Sequence, residues 1–111
     1  EGEGEIVGVF VLMPNTAHEI EIKNISVLEK YQHQGVGKDI VKYVVRIAKL
    51  EGYEELIVKT ADVSKDAIKF YEKMKFTHDF TVKGYFIQYY DQPIMENGKQ
   101  ATDQVVMKRK L

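Results

Sequence analysis

The chain has 111 residues, a length that suits one domain and hardly two. Its 16 lysines and arginines stand against 17 acidic residues, and this near-zero balance argues against a protein whose main partner is a nucleic acid. Hydrophobic residues make up 44% and charged residues 30%, the composition of a folded globular chain rather than a disordered one. Cysteine is absent, which excludes disulfides, thiolate metal sites and a cysteine nucleophile.

The N-terminal sequence favours neither membrane insertion nor secretion. The longest apolar run, Ile6 to Met13, contains Gly8 and is far too short to span a bilayer. The acidic start, Glu1 to Glu5, is the opposite of the basic start of a signal peptide. We therefore expect a cytoplasmic protein with no membrane partner.

The first half of the chain predicts two strands and a helix. Ile6 to Met13 is β-branched and aromatic, as in a buried strand, and turn residues follow it. Glu19 to Lys23 alternates polar and apolar residues, and this second strand, which continues to Leu28, pairs antiparallel with the first because the link is short. Gly52 ends the helix. The apolar face of this helix comprises Ile40, Val41, Val44, Val45 and Ala48.

The second half predicts a further strand, a second helix and a β-rich end. Leu56 to Val58 forms a short buried strand, and strand, helix and strand in succession predict a parallel βαβ unit. Apolar spacing from Ala67 to Met74 marks the second helix, which Asp62 or Ser64 caps. The remaining strands are Phe80 to Val82, Tyr85 to Tyr90 and Gln104 to Met107. A turn signal at Asn97-Gly98 lies between the last two of them. The sequence thus predicts a mixed α/β (α+β) fold with two helices.

The stretch from Gln32 to Lys38, between the second strand and the first helix, is the most informative for function. Gly35 and Gly37 let the backbone approach a ligand closely, and the first amides of a helix have no internal partner and carry partial positive charge. These features predict a phosphate-binding turn, although a plain strand-to-helix turn has the same spacing. Gln32 and Asp39 break the Walker pattern, and the dinucleotide pattern lacks its third glycine.

Two motifs, in order, resemble those of the GCN5-related N-acetyltransferase (GNAT) superfamily. The first is Gln32-x-x-Gly35-x-Gly37, preceded by Ile25-Ser26-Val27 and followed by an amphipathic helix. The second runs from Ala67 to Phe76 and contains Phe70-Tyr71. The resemblance implies an acyl-CoA N-acyltransferase fold, with a mixed, mostly antiparallel sheet around a central parallel βαβ splay. It also implies that residues 1–111 are a single GNAT domain, from the third strand of the fold onward.

The resemblance implies acetyl-CoA as cosubstrate and no metal. The backbone around Ile25 would bind the pantetheine arm and polarise the thioester carbonyl. The amides from Gln34 to Lys38 would bind the pyrophosphate, helped by the side chains of Gln32 and Lys38. The implied cofactor-binding residues are Ile25, Ser26, Val27, Gln32, His33, Gln34, Gly35, Val36, Gly37, Lys38, Ser64, Ala67 and Phe70.

The resemblance also implies a direct attack by a primary amine of a small molecule or peptide, without a covalent enzyme intermediate. Tyr71 would be the general acid for the departing thiolate, because a phenol pKa of about 10 suits a thiol. Core packing is the alternative role of Tyr71. Glu21 would be the general base, with Glu19 or water as alternatives. The other interpretation of Glu21 is a polar residue on the exposed face of a half-buried strand.

Three positions depart from the family pattern. Glutamine stands at position 32, where arginine is frequent, and Ser64 replaces a frequent asparagine. Lys75 replaces the usual helix-ending glycine, at a cost of roughly 1 kcal/mol if its backbone is left-handed. Family members also begin with further elements that build one wall of the acceptor pocket. A non-catalytic acyl-CoA-binding or dimerisation module is therefore the alternative function, and a homodimer stays open.

Two further features each have two interpretations. A basic face on the first helix suits either plain solvation or contact with the 3′-phosphate of CoA; it comprises Lys38, Lys42, Arg46 and Lys49. The segment Tyr85 to Asp103 is long for a hairpin connection and rich in aromatic and acidic residues. It either shapes a site for a cationic amine or covers the core or a second subunit. It also looks similar to a group of uncharacterised bacterial members, which leaves the acceptor open.

Overall fold

The computed structural model describes residues 8–27, 35–96 and 98–111. Its elements in chain order are β1 (Gly8–Pro14), β2 (Glu19–Val27), α1 (Val36–Leu50), β3 (Glu55–Ala61), α2 (Lys65–Lys73), β4 (Thr77–Val82), α3 (Tyr85–Gln88), β5 (Met95–Glu96), β6 (Lys99–Gln100) and β7 (Gln104–Lys110). In these residues, five strands form one mostly antiparallel sheet with one parallel pair, in the order β1-β2-β3-β7-β4, and β5 and β6 form a second sheet. The mixed α/β fold is confirmed. The predicted start of the first strand at Ile6 and end of the second at Leu28 lie outside the described residues.

The chain divides into two compact units. The first extends to Leu56 and includes Lys110 and Leu111, and the second is Ile57–Arg109. In the first unit β1 and β2 pair antiparallel, and α1 packs against both strands. The buried face of α1 comprises Val41, Val44, Val45 and Ala48. The apolar period read from the sequence therefore places this helix correctly.

The end of α1 has the hydrogen bonds of a Schellman motif. Gly52 has a φ of 87°, its N–H donates to the carbonyl of Lys49 over 3.1 Å, and the N–H of Tyr53 donates to that of Ala48 over 3.0 Å. Only glycine adopts this left-handed conformation without steric cost. The predicted stop at Gly52 is confirmed.

The end of α2 in the second unit has the same pattern, with lysine in the glycine position. Lys75 has a φ of 71°, its N–H donates to Glu72 over 3.0 Å, and the N–H of Phe76 donates to Tyr71 over 2.9 Å. The Phe76 ring is buried and lies 5.3 Å from the Tyr71 ring, which supplies the apolar contact typical of this motif. The left-handed lysine anticipated from the sequence is thus present.

The prediction of a strand from Tyr85 to Tyr90 is wrong, because this segment begins with the short helix α3. Gly84 enters with a φ of 67°, and its carbonyl accepts hydrogen bonds from Ile87 and Gln88 over 3.1 and 2.9 Å. The aromatic composition favoured a strand, but the rings recur in pairs four residues apart, which is helical spacing. The turn at Asn97-Gly98 is confirmed, since Glu96 pairs with Lys99 and Gly98 has a φ of 75°. Asn97 itself lies outside the described residues.

Candidate functional site

The start of α1 leaves backbone donors unpaired within the helix. Gly35 is the N-cap residue with a φ of 80°, and its carbonyl accepts the first helical hydrogen bond from Asp39 over 3.0 Å. No side chain caps this end among the described residues. The amides of Val36, Gly37 and Lys38 precede that first bond, so they have no intrahelical acceptor and lie at the positive end of the helix dipole. This arrangement suits an anion.

The space beside Gly35 is open. A Cβ added to Gly35 would meet no heavy atom within 4 Å, so a ligand can approach this backbone closely. Val36 and Gly37 are half-buried and Lys38 is exposed. Gln32, His33 and Gln34, which were predicted to bind the cofactor, lie outside the described residues.

Strand β2 carries a bulge near its predicted functional residues. Val11 pairs with Asn24 and Leu12 with Ile22, so Lys23 is an extra residue without an opposite partner in β1. Bulges of this kind redirect the strand and are frequent beside active sites. Beyond the bulge, β2 pairs with β1 again. The paired residues are Ile25 with Phe10, Ser26 with Val9, and Val27 with Gly8.

Glu21 is a buried carboxylate. The alternative interpretation, which placed it on an exposed strand face, is wrong. Its residue exposure is 3%, and neighbouring Ile20 and Ile22 are 6% and 4% exposed, so both faces of this part of β2 are covered. The polar–apolar alternation therefore does not mark a solvent face here. Lys23 compensates part of the charge, with its Nζ 3.6 Å from Glu21 Oε2. Glu19, the alternative base, is half-buried at the start of the strand.

Tyr71 lies on α2 between two aromatic rings. The ring centroids of Phe70 and Phe76 each lie 5.3 Å from that of Tyr71, in edge-to-face arrangements. Burial raises the pKa of the Tyr71 phenol above its ordinary value of 10.0. The side chain is therefore packed, as its structural interpretation required, and protonated at neutral pH, as a general acid requires.

Ser64 occupies the N-cap position of α2, as predicted, but its side chain forms no capping hydrogen bond. It is 7% exposed, and its carbonyl accepts the first helical bond from Ile68 over 3.0 Å. Ala67 and Phe70, the other predicted cofactor-binding residues on this helix, are half-buried.

Asp62, the other predicted cap, instead holds the segment that precedes β7. Its Oδ1 accepts from the Thr102 amide over 3.1 Å and its Oδ2 from the Thr102 hydroxyl over 2.8 Å. Burial alone would raise the pKa of the Asp62 carboxyl, but the hydrogen bonds from Thr102, with those from the amides of Asp103 and Asp62, outweigh it and lower the pKa. Sequence reasoning missed this contact, because the partners are 40 residues apart in the chain.

The basic face of α1 contains a pocket of about 240 Å³ lined by Asp39, Lys42, Tyr43 and Arg46. The Arg46 guanidinium lies 5.8 Å from the centre of the Tyr43 ring, a cation–π distance. Neither Lys42 nor Arg46 forms an ion pair within the part of the chain that the structure describes. This surface is positively charged and able to contact an anionic group.

Two kinds of feature are absent from the described residues. Residues 8–27, 35–96 and 98–111 contain no group of three or more histidine or acidic side chains placed to hold a metal ion. None of the helices in these ranges is both long and apolar enough to cross a membrane.

Comparison with known proteins identifies the family. The profile of the Acetyltransferase (GNAT) family matches residues 1–76. The uncharacterized N-acetyltransferase YvbK of Bacillus subtilis (strain 168) is 34% identical over 101 residues, which are 91% of this chain and 65% of that protein. The chain thus spans slightly less than two thirds of this relative.

Two solved structures share the fold over the whole chain. A GNAT family acetyltransferase from Elizabethkingia anophelis with acetyl-CoA bound is 36% identical, with a TM-score of 0.95, and 72% of it is covered. The Bacillus subtilis acetyltransferase in complex with CoA is 31% identical, with a TM-score of 0.93, and 73% of it is covered. The profile match, the two motifs and this shared architecture agree: the chain belongs to the acetyltransferase (GNAT) family.

Proposed function

We propose that this chain binds acetyl-CoA and transfers the acetyl group to a primary amine of a small molecule or peptide. The observation that carries the proposal is the start of α1, where a left-handed Gly35 and three amides without an intrahelical acceptor stand at the family's acyl-CoA motif. The two solved relatives hold acetyl-CoA and CoA, respectively. We also propose that residues 1–111 belong to one GNAT domain.

The residues at the start of α1 suit the pyrophosphate of CoA. Amides that point along a helix axis bind phosphate oxygens, and they do so without a basic side chain. The proposed ligands are the amides from Gln34 to Lys38. The proposal also includes Gln32 and His33 of the same motif and Ser64, Ala67 and Phe70 of α2. Lys42 and Arg46 add a positive surface suited to the 3′-phosphate.

The extended backbone from Ile25 to Val27 is proposed to bind the pantetheine arm like an added strand. One of its amides would donate to the thioester oxygen, where negative charge develops as the amine attacks. The bulge at Lys23 supports this role, because it changes the strand direction just before these residues.

The proton transfers are assigned to Tyr71 and Glu21. The amine nitrogen attacks the thioester carbon, the carbon–sulfur bond breaks, and the leaving thiolate takes the proton from Tyr71 Oη. The phenol is protonated at neutral pH, as a donor must be, and burial raises its pKa above the value of about 10 that matches a thiol. Glu21 is proposed to accept the amine proton, directly or through one water.

Glu21→Gln tests the base. The variant keeps the size of the side chain but removes the proton acceptor, so we expect kcat to fall roughly 100-fold at neutral pH. Glu19→Gln, two residues earlier on the same strand, is the matched control and should stay within about threefold of the original chain. Full activity of Glu21→Gln across the pH range would remove Glu21 from the mechanism and leave Glu19 or water as the base, and a loss of kcat confined to Glu19→Gln would assign the base to Glu19.

Release of free thiol from acetyl-CoA tests the function. The chain has no cysteine, so a thiol reagent reports only the CoA product. We expect release that depends on both the chain and an amine drawn from a panel of diamines, amino acids and peptides. Binding of CoA with no amine-dependent release would favour the alternative, a non-catalytic acyl-CoA-binding or dimerisation module. The cytoplasmic location and the homodimer stay predictions.

A further inference from the structure

An aromatic cluster, defined as Tyr85, Phe86, Tyr89 and Tyr90, lies on and just after α3. The Tyr85 ring centroid is 5.1 Å from that of Phe86 and 5.0 Å from that of Tyr89, and the rings of Phe86 and Tyr90 stack at 5.6 Å. Tyr89 is 63% exposed and Tyr90 is 46% exposed. Part of the aromatic surface is therefore available to a ligand.

The segment that carries the aromatic cluster has a small excess of negative charge. Residues 83–103 contain Asp91, Glu96 and Asp103 against Lys83 and Lys99. Lys99 lies opposite Glu96 in the β5–β6 pair, and the Nζ of Lys83 is 3.7 Å from Asp103 Oδ2, so Asp91 is the acidic residue that neither lysine faces. Electron-rich ring faces in a segment of net negative charge favour a cationic ligand over an anionic one.

The rings of Tyr85 and Tyr90 form an angled pair of suitable size. Their centroids lie 6.4 Å apart, and their planes are inclined by 63°. A cation–π contact requires the cation within about 6 Å of a ring centroid. At this separation a single ammonium group can satisfy that distance for both rings at once.

Hydrogen bonds hold the aromatic cluster in place. The N–H of Gly84 donates to Asp103 Oδ1 over 2.9 Å, and the N–H of Phe86 donates to the Thr102 carbonyl over 2.9 Å. Thr102 is in turn held by both carboxylate oxygens of Asp62, which follows β3 and precedes α2. A site with prearranged rings loses less entropy when it binds a ligand.

We propose that the aromatic cluster binds an alkylammonium group of the acceptor, which makes the preferred acceptor a diamine or another amine with a second positive charge. This inference rests on the proposed function, because an acceptor exists only if the chain transfers the acetyl group to an amine. The attacking nitrogen must be neutral when it attacks, so the group that remains charged against the rings is a second one. The Tyr85–Tyr90 pair, in a segment with a small excess of negative charge, favours that group.

Choline and its neutral isostere, 3,3-dimethylbutanol, test the cation site directly. The two probes have the same shape, so their difference in affinity measures the contribution of charge. Calorimetric titration of the full chain should give choline about fivefold tighter binding than dimethylbutanol. Equal affinity would overturn the inference and identify an apolar surface, and no binding of either probe would overturn it as well.

Tyr90 supplies the matched variants. Tyr90→Leu should weaken choline about fivefold, and Tyr90→Phe should restore it to within about twofold, because the ring face and not the hydroxyl binds the cation. Phe80→Leu, which removes an exposed aromatic ring from β4, is the control and should leave choline affinity unchanged. Unchanged choline affinity in Tyr90→Leu would contradict the assignment.

Kinetics separate this inference from the proposed function. In the thiol-release assay, 1,4-diaminobutane should have a KM about fivefold below that of butylamine, and Tyr90→Leu should remove most of this difference. Thiol release with equal KM values would contradict the cation site and leave the acetyltransferase function intact. Choline binding at the cluster without thiol release from any amine would do the reverse.

Discussion

Tyr71 has a fixed ring and a hydroxyl that is protonated at neutral pH, two properties that a proton donor to a thiolate needs. Its ring lies between those of Phe70 and Phe76, and burial raises its pKa above 10.0. The ring contacts depend on the aromatic body of the side chain and the proton transfer on its hydroxyl. The two roles weighed from the sequence, packing and catalysis, can therefore be separated by one atom.

Tyr71→Phe should lower kcat roughly 100-fold while the Kd for CoA stays within about twofold, because the variant keeps the ring and loses only the hydroxyl. Because the pKa is raised, the phenol of the original chain stays protonated below pH 10, so its kcat should fall on the alkaline side only above that value. Steady-state kinetics and calorimetry measure both. Tyr53→Phe is the matched control, and parallel losses of kcat and CoA affinity in Tyr71→Phe would assign the hydroxyl a structural role.

Asp62 contributes stability that depends on pH. Its pKa is lowered below 3.8 in the folded chain, so the contribution is present above that value and is lost as the pH falls through the folded pKa. Asp62→Asn should lower the free energy of unfolding at pH 7 by about 1 kcal/mol, and the difference should shrink below pH 4.

Urea unfolding of Asp62→Asn, Thr102→Val and the double variant provides the check. The two side chains share one hydrogen bond, so the double variant should lose less than the sum of the single losses. Strictly additive losses, or a difference from the original chain that does not change with pH, would show that the Asp62–Thr102 pair is not the source.

The residues that sequence reasoning placed least well are those whose environment depends on distant partners. Glu21 stands in an alternating strand, a pattern that normally marks a solvent face, yet its neighbours on both sides are buried too. Asp62 was expected to cap α2, but its carboxylate binds Thr102, from the far end of the second unit. Alternation and capping rules contain only local information, so they could not supply either result.

The two longer helices end by the same device with different residues. The left-handed position after α1 is Gly52 with a φ of 87°, and the one after α2 is Lys75 with a φ of 71°. These ends could be predicted from sequence, because glycine marks the first and the family pattern marks the second. The helix α3 could not be predicted in the same way. Its four residues are too few to show a helical period, and the N–H of Gly84, which precedes it, donates to Asp103 Oδ1 from the segment before β7.

Lys75→Gly should raise the free energy of unfolding by about 1 kcal/mol, because glycine removes the steric cost of the left-handed backbone at an exposed site. Lys69→Gly, at an exposed position inside α2, should lower it by a similar amount, because glycine weakens a helix interior. Urea unfolding measures both changes. A chain that Lys75→Gly fails to stabilise would show that this end of α2 is not strained.

At the scale of the whole molecule, a net charge of −1 is compatible with a highly anionic ligand. The proposed pyrophosphate site uses backbone amides, and the basic pocket beside Lys42 and Arg46 lies on the same helix. The family could be predicted from the sequence because this site depends on a short glycine motif. The sequence left the role of the aromatic segment open, because the contacts of α3 with Thr102 and Asp103 join residues far apart in the chain.

Calorimetric titration of CoA into Gly35→Ala and Gly52→Ala tests the central claim, that the start of α1 binds CoA. Both glycines have positive φ and open space around an added Cβ, so both variants should lose a similar stability of about 1 kcal/mol. Only Gly35→Ala adds a methyl group where the phosphates are proposed to lie, so it should weaken CoA at least about tenfold while Gly52→Ala keeps the affinity of the original chain. Equal CoA affinity in the two variants would contradict the claim.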